Sequence, residues 1–439
     1  MNFLIRNKYN LLILALVLIF LGVSSNLILN ISRAESKPLE DNKALYNMLV
    51  SDLSNNIEEV DDNSIITSKN PNNYVWYSGK LWRAVSINNK DNTVKLVTKE
   101  GINTLSGNDD IDYFLNDTSN NGFLGSLKNY KDYIKQDSIW IKYNDSRILG
   151  DIRKSKSYEA ITNPVGLLTT YDYQLSYDGT TESIGDGYLN NNTNWSTYTY
   201  DNDKNMIINK EGKVESSSKE LSHSIRPAIN ILSNVEIKGG NGSKDNPYYL
   251  EEYGTDKDLL NTRASGEYVH FNDELYRIVT VDEEKTKLVS IKTIDNKKFS
   301  SKESKFDLKD KKSIAYYLNN DWYEKLSDNA KELLVEGKFY TDKCTYEDSY
   351  KDISKDNYIN AKIGLLRYGE MFTTNEKKDY FLITPYDNLY KRVIYTDSLS
   401  GAVRSNAKLS FKIALYIRSD AYIKDGVGTK DSPFIITVK

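Results

Sequence analysis

Few residues in this 439-residue chain could do chemistry. His223 stands in "LSHSIRP" and His270 in "EYVHFND", both on strand-like segments, and neither has a second histidine at metal-ligand spacing. Neither H-E-x-x-H nor G-x-S-x-G occurs, so zinc-hydrolase and serine-hydrolase chemistry have no signature here. Cys344 is the single cysteine, which excludes an intramolecular disulfide and a thiolate zinc site. Acidic residues gather in "GNDDIDYFLND" (Asp109, Asp110, Asp112, Asp117) and in "YDND" (Asp201, Asp203). They lack EF-hand spacing, and Asp109 and Asp110 read more simply as acids at a helix N-terminus. The phrase "GGNGSKDNPYYL" (239–250) lacks the Gly-Lys-Ser/Thr of a phosphate loop and is not followed by a helix pattern. The expectation is a non-enzymatic chain with no cofactor and no metal.

What remains is recognition chemistry. Trp195, Tyr198 and Tyr200 could form an aromatic platform for a sugar ring or peptide, with Asp201 and Arg226 as polar partners; large rings in a strand more often fill core, and an Arg before Pro is more often a structural partner. In a regular strand Tyr198 and Tyr200 share one face and Trp195 takes the other. The insert "YDGTTESIGDGYLN" precedes this strand, and long loops carry binding disproportionately.

The elements that must position these residues occur twice. "YVWYSGKLWRAVSI" (74–87) matches "YVHFNDELYRIVTV" (268–281), and "IDYFLND" (111–117) matches "IAYYLNN" (314–320). "VGLL" at Val165 matches "IGLL" at Ile363, and "WSTYTYDN" at Trp195 matches "FLITPYDN" at Phe381. "RPAINI" at Arg226 matches "KIALYI" at Lys412, and the glycine phrase returns as "DGVGTKDSPFII". Blocks in one order indicate a tandem duplication. The repeats are set at 71–253 and 266–439, with 254–265 as linker. Each runs strands, two helices, long loops, strands, an α+β order. Thirty-four tyrosines suit strands and an amphipathic core.

Residues 1–34 combine a short basic start (Arg6, Lys8) with the apolar run "LLILALVLIFLGV". Two readings stand: a secretory signal peptide, or a signal anchor spanning the membrane with its N-terminal end in the cytoplasm. Either exports the rest. Residues 35–70 read as a stalk carrying an amphipathic helix with Leu45, Met48, Leu49 and Leu53 on one face. The formal net charge of −4 argues against nucleic acid as a partner.

The succession "GKLWRAVSI", "YFLND", "VGLL", "WSTYTY", "SIRPAINI" and "GGNGSKDNPYYL" resembles a bacterial surface-domain family of unknown function. That family is common in Firmicutes and often carried on prepilin-like or membrane-anchored proteins. The resemblance implies two tandem C-type-lectin-like domains, each a twisted antiparallel sheet with two helices and long loops, behind an N-terminal hydrophobic helix. The first repeat fits better; the second departs where Trp195 becomes Phe381 and Arg226-Pro227 becomes Lys412-Ile413, so a site there would be lost. The start has no prepilin motif, which argues against pilus assembly by that route. Together the residues imply a surface-displayed binding or adhesion protein, anchored in the membrane or secreted. It would meet a surface glycan or protein through loops of the first repeat, at Trp195, Tyr198, Tyr200, Asp201 and Arg226. The alternative is a scaffold subunit of a surface assembly.

Overall fold

The computed structural model describes residues 43–438, apart from 107–109, 120–121, 183–186, 252–257, 302, 304, 344–356, 369, 371–378 and 396–399. The readings made for the 1–34 leader, Asp109 and Cys344 fall outside the described residues. Among those described, no helix is long and apolar enough to cross a membrane.

The described chain is mostly β, with a few short helices and three main antiparallel or mixed sheets. The α-helices run from Tyr130–Tyr133 at the short end to Thr170–Asp178 at the long end, so helical mass is smaller than the α+β expectation. The reason is compositional: Tyr, Asn and Thr fill the segments between strands, and these are weak helix interiors.

The helix foreseen near residue 45 is Leu45–Asp52, and Leu45, Leu49 and Leu53 are buried. Residues 44–66 do not stand off as a stalk, however. The hairpin Ile57–Val60/Asn63–Ile66 joins the first repeat's sheet, with Asn63 opposite Asn88 and Ile65 opposite Ser86. Its second strand buries Ser64, Ile65 and Ile66 against the repeat.

Each repeat closes on itself in the same way. In the first, Tyr248 pairs in parallel with Val75; in the second, Phe434 pairs in parallel with Val269. The glycine phrase makes this closure. Gly240 and Gly426 sit at φ +91° and +90°, and a Cβ there would lie 1.7 Å from Pro247 O and 2.0 Å from Pro433 O. Only glycine fits both the conformation and the space. The Tyr74 N–H then donates to Gly242 O at 2.9 Å, and the Tyr268 N–H to Gly428 O at 2.8 Å. The phrase is a closing turn, present twice.

Inner registers repeat as well. Gly166 faces Ala228, and Gly364 faces Ala414. Asn116 ends the helix Ile111–Asn116 and brackets Val165, donating to its carbonyl at 3.1 Å and accepting from its N–H at 3.0 Å. Asn319 does the same to Ile363, at 2.8 and 3.3 Å. The shared asparagine of "YFLND" and "YYLNN" therefore staples a helix to a buried strand through both backbone groups.

The repeats touch through a buried lysine. Lys80 donates to Ser78 O at 3.1 Å within its own turn and to Ser265 O at 3.0 Å in the segment leading into the second repeat. Lys128 donates to Thr262 O at 2.6 Å beside it. Burial first, and then the Arg277 guanidinium, push the Lys80 amine down to about 7.

Candidate functional site

The strand Trp195–Asp201 carries the expected platform residues, and the structure turns most of them inward. Trp195, Tyr198 and Arg226 are fully buried, while Tyr200 and Asp201 are half-buried. The Trp195 ring meets Tyr173 edge-on at 5.8 Å, and the Arg226 guanidinium lies 4.8 Å from the Trp195 ring centre. Arg226 donates to Thr98 O at 2.8 Å and to Leu189 O at 2.5 Å. These contacts fix Trp195 and Arg226 as core rather than an open sugar platform. The physical reason is volume: a Trp and a guanidinium stacked between two sheets fill space that smaller residues would leave empty. The end of the insert before this strand is core too, since Tyr188 and Leu189 are buried and the Tyr188 ring lies 4.7 Å from the Arg83 guanidinium.

The register also corrects the pairing of Trp195 with Phe381. Trp195 faces Ile208 and Ser224; Tyr380 faces Ile394 and Ser410, the equivalents of Ile208 and Ser224 in the second repeat. Tyr380 therefore occupies the Trp195 position, and Lys412 stacks on it at 5.1 Å as Arg226 does on Trp195. The stacked cation and ring are retained, in other residue types, where loss was expected. Each strand carries an irregularity after this point, which an ungapped comparison of letters misses.

Tyr198 leads to the surface. Its hydroxyl donates to Asp112 Oδ1, and Lys142 Nζ donates to Asp112 Oδ2. The ammonium also stands 5.3 Å from the Tyr198 ring centre. Burial first, and then the Asp112 charge, raise the Tyr198 phenol well above its ordinary range, so it stays a donor. Asp112 thus sits over a fixed phenol and a fixed ammonium.

Above them opens a hollow of about 450 Å³, lined by Asp110, Asp112, Tyr113, Asn116, Asp117, Thr118 and Asn163. The short helix Ile111–Asn116 builds one wall; Asp110 caps it by accepting from the Tyr113 N–H at 3.0 Å. Asp117 is turned toward Ser119, accepting from its N–H and its hydroxyl at 2.9 and 2.7 Å. Asn163 comes from the turn before Val165, held where its carbonyl accepts from Trp140 Nε1 at 2.9 Å. Tyr113 remains 40 % exposed at the rim. An open hollow of this size with amides, carboxylates, a hydroxyl and one aromatic ring offers hydrogen bonds to a polyhydroxyl or peptide ligand. Among the described residues, no group of three or more His, Cys, Asp or Glu is arranged to hold a metal ion.

The sequence pointed at Tyr198 and noticed Asp112, but only as part of an acidic run. Lys142 and Asn163 went unnoticed, because they lie in separate segments and only folding brings them to one place. His223 is buried with its Nε2 2.7 Å from Ser217 Oγ, and His270 lies half-buried in the strand Tyr268–Phe271 of the other repeat. The two histidines thus stand in different sheets. Comparison with family models, with curated proteins and with solved structures gives no match.

Proposed function

We propose that this chain is a cell-surface binding or adhesion protein, anchored in the membrane through its N-terminal segment or secreted, that recognises a glycan or protein ligand through the first repeat. The observation that carries the reading is the polar hollow at Asp110–Thr118 and Asn163, set on the Asp112–Tyr198–Lys142 cluster. The equivalent positions of the second repeat are Ala315, Ile383 and Thr341, so that cluster belongs to the first repeat alone. The finer fold reading is that each repeat is C-type-lectin-like. It is supported by the order strands, helices, loops, strands, and by closure of the first strand against the last.

The test is binding of the full chain to a glycan array and to bacterial cell-wall material, with Tyr113→Ala and Asn163→Ala as paired variants. The expected result is binding that both variants weaken about tenfold while the melting temperature stays unchanged, the loss of one or two polar or ring contacts. Binding untouched by both variants would remove the hollow from the reading. Concentration-dependent self-association without any bound glycan or protein would favour the scaffold alternative instead.

A further inference from the structure

The second repeat presents a different surface on the ribbon formed by Tyr390–Ile394 and Ser400–Arg404. Register places Tyr390 opposite Arg404 and Arg392 opposite Ala402 on one face, while Lys391 and Val393 turn into the core. Arg404 is exposed, donates from Nε to the Tyr390 hydroxyl at 3.1 Å, and lies 5.5 Å from that ring centre. The Arg392 guanidinium lies between two rings, 4.4 Å from Tyr368 and 5.6 Å from Tyr386, and its Nε is screened from solvent without a hydrogen-bond partner. Tyr386 is 56 % exposed and Leu389 is 50 % exposed at the tip of the same ribbon. Among the described residues neither arginine meets a carboxylate. Asp387, in the turn before the ribbon, is turned to the backbone, accepting from the Leu389 and Tyr390 N–H groups at 2.7 and 2.8 Å, and Asp397, between the two strands, lies outside the described residues.

We propose that this outer face binds an acidic polysaccharide, with Arg404 and Arg392 pairing with its carboxylates and Tyr386 and Tyr390 lying against its sugar rings. Each part follows from chemistry on the face. A guanidinium fork matches a carboxylate through two parallel N–H donors, and stacking on tyrosine pre-orients it. The C–H face of a pyranose ring is apolar and flat enough to lie on an exposed phenol ring, whose hydroxyl can hydrogen-bond the sugar's edge. A neutral glycan would leave both cations unused, and an acidic peptide would leave the tyrosine faces largely uncovered. The face lies in the second repeat and shares no residue with the hollow of the first, so the two readings can fail independently.

The experiment measures retention of the full chain on immobilised hyaluronate, dextran and polyglutamate at low ionic strength, where charge pairing is least screened. Retention on hyaluronate is expected, with little on dextran and weaker retention on polyglutamate. The Arg392→Gln/Arg404→Gln variant should bind hyaluronate at least about tenfold more weakly, the loss of two charge-assisted pairs. Arg404→Lys, which keeps the charge and loses the fork, should fall between the two, and Tyr386→Ala should weaken binding without altering the near-ultraviolet circular dichroism of the fold. Unchanged binding by the double variant or by Tyr386→Ala would overturn the proposal. So would equal retention on polyglutamate and hyaluronate, because a face that reads charge alone has no use for its rings.

Discussion

The two repeats share a frame and differ in whether its longest strand pair stays within a single sheet. In the first, Thr93–Thr98 and Asn103–Ser106 are separate strands, as are Ser222–Ile225 and Pro227–Ile231, and the pieces belong to two sheets. In the second, Lys285–Lys298 runs unbroken beside Lys408–Arg418 in one large sheet. The break falls at Arg226-Pro227. Proline has no N–H to donate, so the ladder stops there and the chain changes sheet. The second repeat has Lys412-Ile413 at that place, and the Ile413 N–H donates to Ser290 Oγ at 2.9 Å across an irregular register. The proline thus marks the point where the first repeat's long strand pair divides between two sheets, while the closing turn and the asparagine staple stay the same.

Carrying the proline across tests that difference most severely. Ile413→Pro should destabilise the second repeat by about 3 kcal/mol or more in chemical denaturation, since it removes a buried donor and strains the strand. A loss below about 1 kcal/mol would show that the break has another cause. The shared closure comes next. Gly240→Ala and Gly426→Ala should each cost about 3 kcal/mol, because a Cβ meets a backbone carbonyl and the φ is positive. Unequal losses would mean that the turn matters in one repeat only.

Asn116→Ala and Asn319→Ala should each cost about 2 kcal/mol, leaving the Val165 and Ile363 backbone groups unpaired in buried surroundings. Hydrogen exchange at the Val165 and Ile363 amides would show whether each loss is local. Tyr198→Phe should cost about 1 kcal/mol and affect the first repeat alone, as Ile383 occupies the equivalent position without a hydroxyl. Its effect on ligand binding would report whether the phenol fixes Asp112 under the hollow.

A pH-dependent effect concerns the joint. Lys80 binds its proton at about 7 when folded, against an ordinary 10.5, so between those values the unfolded chain holds more protons. Stability therefore rises with pH across this window, and the folded state bears the full penalty of the charged amine below it. Lys80→Met should reduce the slope of stability against pH between 7 and 9 by up to about 1.4 kcal/mol per pH unit. An identical slope in the variant would show that Lys80 is charged in the folded protein. The groups that set its surroundings are Arg277, Glu251 and Glu267, so Glu251→Gln provides a second probe of the same joint.

The duplication was legible in the letters because it rests on local requirements. A glycine at positive φ, a proline at the start of a strand and an asparagine at a helix end are each dictated by a few neighbouring atoms. The helix over Leu45–Asp52 was legible for the same reason, since three leucines at helical spacing define a face. What those leucines would cover was not legible. The Trp195 strand was legible in part: large rings in a strand read first as core, with a platform as the alternative, and only the fold shows Trp195, Tyr198 and Arg226 buried.

The Trp195–Tyr380 equivalence was hidden because irregular strands shift the register by one residue, and pairing partners reveal the shift where neighbours in sequence do not. The hollow needed still more of the fold. Asp112, Lys142, Asn163 and Tyr198 come from four segments, and their chemistry arises only from being together. The sequence by itself determined that there are two repeats, each with strand-rich composition and a fixed closing turn, because those features depend on the backbone of a few adjacent residues. The tertiary structure alone decided which rings are buried, where the cations stack and which polar groups meet at the surface, because burial and pairing are properties of contacts between distant segments.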